Sequence, residues 1–264
     1  MGFSQSRWAG KMPVELYNKG NHVCVAFRDL VDGGEAVQAN QFLIFDSDHA
    51  ALIDPGGDLT YTGLFMAISD YMNVKRLDYV VASHQDPDIV ASLNKWLIGT
   101  DCKVVVPALW QRFIPHFTRP GRLAGRIVAI PDEGMNLELG SIQLKAVPAH
   151  FLHAEGNFQF YDPKSRILFS GDLGANLCPP ELLDQPARRL DEVLPDMEGF
   201  HRRYMNGNKV CRFWAHMAAK MEIDMLVPQH GRALTGKAVA EFIRWISELQ
   251  CGVDLMTQAN YRLP

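Results

Sequence analysis

The stretch ASHQDPDIVAS, Ala82 to Ser92, places His84, Asp86 and Asp88 on alternate positions directly after the apolar run LDYVV. An imidazole and two carboxylates so close together are donors that metal ions take as ligands. A polar turn uses the same residue types, so the cluster carries weight only if other segments answer it. Three do: IQLKAVPA leads into His150 and His153, RILFSG into Asp172, and DMLVPQ into His230. A lone His after a strand is more often hydrogen-bonded in a loop than a ligand, and an Asp after Gly is ordinarily a turn former. Four strand ends that each deliver a donor change that balance, because strand ends on one rim of a sandwich lie close in space. If the backbone stays extended through the first cluster, alternation points His84, Asp86 and Asp88 to one side. Pro87 fixes its own φ and holds Asp86 out of the helical region.

The elements that must position these residues follow from the hydrophobic period. Val14 to about Asp58 alternates short apolar runs with turn residues, the pattern of a β-meander. LTYTGLFMAISDYM then carries Leu64, Ile68 and Met72 at helical spacing. RLDYVVAS predicts a strand, IVASLNKWLIG a helix, CKVVVP a strand and ALWQRFIPHF a helix-like stretch. The second half repeats the scheme with NLELGSIQLKAVPAH, FQFYD and RILFSGD, the helical FHRRYMNGNKVCRFWAHMAAKM, then EIDMLVPQHG and a final helix AVAEFIRWISELQ. Strand alternating with helix predicts a layered α/β architecture. No composition break separates the halves, so the expectation is one domain over residues 1–264, with its core at about 14–245 and two similar β-rich halves.

Composition narrows the function classes. The chain has 264 residues, 47% of them hydrophobic, enough for a sizeable core. Its 26 basic and 30 acidic residues form no long run of either sign, which gives a nucleic-acid groove no support. The five cysteines are scattered, with no C-x-x-C pair, and suit a reducing compartment. MGFSQSRWAG lacks the apolar segment of a signal peptide and no run approaches a membrane span, so the expected location is the cytoplasm, away from membranes. Met1-Gly2 with Ser6 fits the loose myristoylation pattern, but no polybasic stretch supports it. DPGGD lacks the spacing of a phosphate-binding loop and reads as a tight turn.

LIDPGGD, SHQDPD, FLHAEGNFQFYDPKSRILFSGDLG and VPQHG together resemble the metallo-β-lactamase fold, and more closely the diiron domain of flavodiiron proteins, over about Val14 to Trp245. The resemblance implies a four-layer αβ/βα sandwich. It also implies two iron ions, with zinc or manganese as alternatives: one held by His84, Asp86 and His153, the other by Asp88 and His230, with Asp172 bridging. His150 and Asp54 become candidates for outer groups that orient the ligands. The chain departs from the family twice. Asp86 stands where the family usually has Glu, and Ile89 stands where a His commonly follows the second Asp.

Zinc hydrolases of this fold carry H-x-H-x-D-H, so the carboxylate at Asp86 is the sharpest signal. Two divalent ions bring four formal positive charges, of which Asp86, Asp88 and Asp172 offset three. Hard anionic oxygens stabilise an oxidised metal pair and weaken the Lewis acidity that hydrolysis needs. The expected function is therefore a non-heme diiron protein that binds O2 or NO and reduces or senses it. The alternative is a zinc-type hydrolase of esters, thioesters or lactones. The full-length family carries a flavodoxin-like domain with FMN, for which this chain has no site. Electrons must then come from a separate donor protein, or a signalling partner reads the state of the metals. The aromatic helix around Phe200, Tyr204, Phe213 and Trp214, with Met197, Met205, Met217 and Met221, could cover the metal pocket or form a homodimer face, although core packing is the commoner use of such residues. His22, His49, His116, His201 and His216 match no motif, though His201 could approach the site.

Overall fold

The computed structural model describes residues 13–28, 30–31 and 36–263. The Met1-Gly2 and Ser6 pattern lies outside the described residues. The described residues form two compact units, the first mainly within 13–106 and 111–129, the second mainly within 130–138 and 142–263.

The first unit is built on a seven-stranded sheet whose strands follow sequence order. Strands β1 (Val14–Lys19), β2 (His22–Phe27), β3 (Gln41–Asp46) and β4 (His49–Ile53) form the expected antiparallel meander. Then β5 (Tyr79–Val81) and β6 (Lys103–Pro107) join in parallel, and β7 (Ile127–Ile130) closes the edge. The parallel joins require crossovers, which the helices supply. Helix α1 (Tyr61–Tyr71) buries Leu64 and Ile68, two of the three positions its period predicted, and ends before the third, Met72, which caps it. They pack with Val25, Leu43, Leu52, Val80, Leu93 and Trp96 in the apolar core of this unit.

Two expectations change here. The helix predicted over IVASLNKWLIG is two helices, α2 (Pro87–Val90) and α3 (Leu93–Gly99), because the Ser92 hydroxyl bonds the carbonyls of Pro55 and Gly56 and accepts from the Trp96 indole. ALWQRFIPHF forms a 3-10 stretch, Gln111–Phe117, in keeping with Pro115 inside it. His22 and His49 are satisfied by carboxylates, at 3.1 Å from Asp46 and 3.2 Å from Asp78.

The second unit holds a six-stranded sheet, in the order β13-β12-β11-β10-β9-β8. Its strands are β8 (Met135–Leu139), β9 (Ile142–Pro148), β10 (Phe158–Asp162), β11 (Ile167–Phe169), β12 (Met225–Val227) and β13 (Leu234–Thr235). The sheet is antiparallel from β9 to β11, and β11 to β12 is the parallel step. The long segment predicted as one helix is broken at Met205–Gly207 into α4 (Leu194–Tyr204) and α5 (Asn208–Ala218). Helix α6 (Lys237–Glu248) packs Phe242 and Ile246 with Met197, Met205, Trp214 and Leu226 in this unit's own core.

Candidate metal centre

In the first unit, parallel pairing of β4 with β5 sets Ile53 beside Val81, so the chain leaves both strands on the same rim. There the Asp54 carboxylate accepts the Ser83 backbone N–H (2.8 Å) and the Ser83 hydroxyl (3.0 Å). With its proton given to Asp54, the Ser83 oxygen accepts from His84 Nδ1–H at 2.9 Å. This chain fixes the tautomer of His84 and leaves Nε2 as its donor atom for a metal. Nε2 faces the Asp86 carboxylate at 3.7 Å.

The extended alternation through Asp88 is corrected by the structure. Asp86 is extended (φ −66°, ψ 148°) but caps α2, and Asp88 lies in the first helical turn. Pro87 is the cause: it holds Asp86 out of the helical region, as expected, while its own fixed φ suits the first position of a helix and starts one. Asp88 is thus presented by a helical turn, held closely against the DPGGD turn. A Cβ on Gly57 would meet the Pro87 carbonyl at 3.3 Å and the Asp88 Cα at 3.4 Å. Ile89, where the resembling family carries a His, is fully buried in the core of this unit.

In the second unit the register does the positioning. Phe169 of β11 pairs with Val227 of β12, and three residues beyond each stand Asp172 and His230. The Gln229 N–H donates to the Gly171 carbonyl at 2.8 Å and keeps the two exits together. Gly231 follows His230 with φ +85°, and a Cβ there would collide with the Asn176 carbonyl, so glycine is required. His153 lies in the loop from β9 to β10, tied by hydrogen bonds from Phe151 N–H to the Ala154 carbonyl and from the Asn157 side chain to the Leu152 carbonyl. The Asp172 carboxylate lies between two imidazoles: Oδ2 is 2.7 Å from His153 Nε2, and Oδ1 is 3.4 Å from His230 Nε2. A carboxylate whose two oxygens each face a different imidazole has the donor arrangement of a group shared by two metal ions.

His150, the other histidine of this loop, is engaged elsewhere, with its Nε2–H donating to the Asp132 carbonyl at 2.7 Å. His201 was the residue the sequence undervalued. Fully buried on α4, it donates from Nδ1 to the Met197 carbonyl and accepts the Gly174 N–H at Nε2 (2.9 Å), two residues past Asp172. Burial pushes its pKa down to about 4, so it is neutral and this tautomer is fixed. Only the burial of the turn after Asp172 could have signalled it, and no local motif encodes that. Phe200 and Tyr204 stack on each other and present to His153 at 6.1 and 5.8 Å, so this part of the aromatic helix covers a predicted ligand. Met197, Met205 and Trp214 are core, and Phe213 is exposed.

A mixed α/β fold with two sheets, carrying imidazoles and carboxylates at its strand exits, defines a metallo-β-lactamase-like protein. Residues 37–231 match the model of the ODP family of β-lactamase-like proteins, and the chain belongs to that family. A solved structure of the peroxy diiron species of the chemotaxis sensor ODP is 37% identical, with a TM-score of 0.82, covering 92% of this chain and 97% of that one. The apo state of that sensor from T. denticola is 36% identical, with a TM-score of 0.81, covering 93% and 98%. A flavo-diiron protein of Thermotoga maritima shares the fold at 19% identity and a TM-score of 0.73, covering 89% of this chain and 61% of its own. Diflavin flavoprotein A 1 of Synechocystis is 24% identical over 214 residues, which is 78% of this chain and 36% of that protein. The chain spans 25% to 48% of the length of the first curated relatives it matches. Among the described residues, no helix is long and apolar enough to cross a membrane.

Proposed function

We propose that this protein is a non-heme diiron O2 sensor whose metal state is read by a partner protein. The reading rests on one observation above others: Asp172 directs its two oxygens to two different imidazoles, His153 and His230. With His84, Asp86 and Asp88 the donor set holds three carboxylates, all nitrogen or oxygen, which fits iron better than a thiol-preferring ion. In this reading His84, Asp86 and His153 would hold one iron, Asp88 and His230 would hold the other, and Asp172 would serve both. Bound iron supplies the electrons and open positions that a diatomic gas requires.

The chain's own residues set the conditions. The Asp54–Ser83 pair keeps the His84 proton on Nδ1. His201 holds the turn after Asp172 while staying neutral. Phe200 and Tyr204 shield His153 from bulk water. The similarity to a chemotaxis sensor favours signalling over turnover, and the scattered cysteines suit the cytoplasm.

The test is anaerobic loading with ferrous iron, exposure to O2, and absorption spectroscopy with metal analysis. A new near-ultraviolet or visible band that persists without a reductase supports the sensor. Steady O2 or NO consumption with an added reductase would instead make it a reductase drawing on a separate donor. An optically silent protein that takes up only zinc from iron-rich medium, and turns over esters, thioesters or lactones, would overturn the diiron reading.

A further inference from the structure

Two thiols in the second unit have no part in the metal chemistry. Cys211 lies in the first turns of α5, and Cys251 lies just past the end of α6; both are fully buried, and their sulfurs are 3.7 Å apart. That is a direct thiol–thiol contact without a bond, and both are free cysteines. The segment bearing Cys251 is fixed against the start of α5. The Asp254 carboxylate accepts the Asn208 N–H (2.6 Å) and the Cys251 N–H (3.2 Å), and the Val253 N–H donates to the Asn206 carbonyl (2.8 Å). The Asn208 side chain adds bonds to the carbonyls of Ser247 and Leu249. The sulfurs are therefore held together by hydrogen bonds of the segments on either side of them.

The pair is also chemically unequal. The hydrogen bond the two thiols share holds Cys251 below its ordinary range and, with burial, lifts Cys211 above it. The thiolate is the nucleophile in thiol oxidation, so Cys251 attacks and Cys211 resolves. The turn over Cys251, Gly252–Leu255, is short and its Val253 is exposed, so a peroxide reaches the sulfur when this surface turn opens.

We propose that Cys211 and Cys251 are a redox-modification site, closed to a disulfide by a peroxide and reopened by a thiol. In the first step the Cys251 thiolate attacks one peroxide oxygen, the O–O bond breaks, and hydroxide leaves, giving a sulfenic acid. In the second step Cys211 attacks that sulfur, the S–S bond forms, the S–O bond breaks, and the departing hydroxide takes the Cys211 proton. The balance is two thiols and hydrogen peroxide to one disulfide and two waters, the sulfurs losing the two electrons that the peroxide gains. The site neighbours the predicted ligand loop, since the Asn206 N–H donates to the Phe151 carbonyl, two residues before His153. The inference stands independently of what the His and Asp sets bind.

The test treats the full chain as isolated with hydrogen peroxide and, separately, with diamide, then alkylates under denaturing conditions and maps peptides by mass spectrometry. The expected result is loss of two of the five alkylatable thiols and a Cys211–Cys251 cross-linked peptide pair that dithiothreitol reverses. The cross-link should persist in Cys178→Ser. In Cys211→Ser a dimedone-trapped sulfenic acid should appear at Cys251. All five thiols still alkylated after both oxidants, or a cross-link through Cys178, would overturn the proposal, and this readout on the unsubstituted chain needs no variant to fold.

Discussion

The two sets of predicted ligands are built in opposite ways. In the first unit His84, Asp86 and Asp88 come from one short stretch after β5, and the Asp86 side chain is 34% exposed. In the second unit His153, Asp172 and His230 come from three distant segments, and their side chains are 14%, 6% and 10% exposed. A local motif can place donors through the backbone of one turn, here a strand exit and a proline-started helix. A dispersed set must be assembled by strand register and then held by neighbours, which is why Asp172 depends on the Gln229–Gly171 bond and on the His201–Gly174 bond. The second set is therefore the more sensitive to change.

The largest effect should separate the two sets directly. Asp172→Ala removes the carboxylate shared by His153 and His230, so metal analysis should show loss of both ions. Asp88→Ala should lose one and retain the other. Equal losses would mean that Asp172 does not bridge.

A somewhat smaller effect concerns the buried support of the second set. An unfolded His titrates near 6.5, and native His201 does so at about 4. Above pH 6.5 both states are neutral and the difference costs nothing. As the pH falls from 6.5 to 4, the unfolded chain takes up a proton that the native one refuses, so stability drops by about 3 kcal/mol over that window. Denaturant melts at matched metal content should show this loss, and His201→Gln should flatten that share of it. An unchanged pH slope in the variant would remove His201 from the account.

Legibility in the sequence followed the same division. The meander, α1 and the H-x-D-x-D stretch were readable because period and spacing are local. Asp172 and His230 were readable only as strand exits, and what joins them is a parallel register that no local pattern contains. The helix breaks at Ser92 and at Met205–Gly207 escaped because hydrogen bonds to other segments, such as Ser92 to Pro55 and Gly56, outweigh the helical period. The path of the chain at Asp88 was misread for a different reason. A proline after an extended residue fits both a continued strand and the first position of a helix, and residues 84–88 alone do not choose.

Within the first set, the Asp54–Ser83–His84 chain offers a graded test. Asp54→Ala removes both acceptors of Ser83 and frees the His84 tautomer, which should weaken iron binding by about 10–100-fold, as loss of groups behind metal ligands does. An equilibrium titration with ferrous iron measures it, and Ser83→Ala should show a loss in the same direction. Unchanged affinity in both would mean that the β5 backbone alone orients His84.

The smallest effect tests the charge argument itself. Asp86 is more exposed than His153, Asp172 or His230, so substitution there should disturb packing least and report on donor chemistry alone. Asp86→His exchanges an anionic oxygen for a neutral nitrogen and raises the formal charge of the set by one. On the proposed reading a carboxylate here would stabilise an oxidised pair by neutralising charge, whereas imidazole serves zinc as readily as iron. The iron-to-zinc ratio of protein grown in matched medium should fall, and the O2-dependent absorption should shrink with it. Asp86→Glu keeps the charge and lengthens the arm by one methylene, so its ratio should stay near that of the parent. A ratio equal in all three proteins would mean that metal supply, and not the carboxylate, selects the ion, leaving the difference between the two sets one of placement alone.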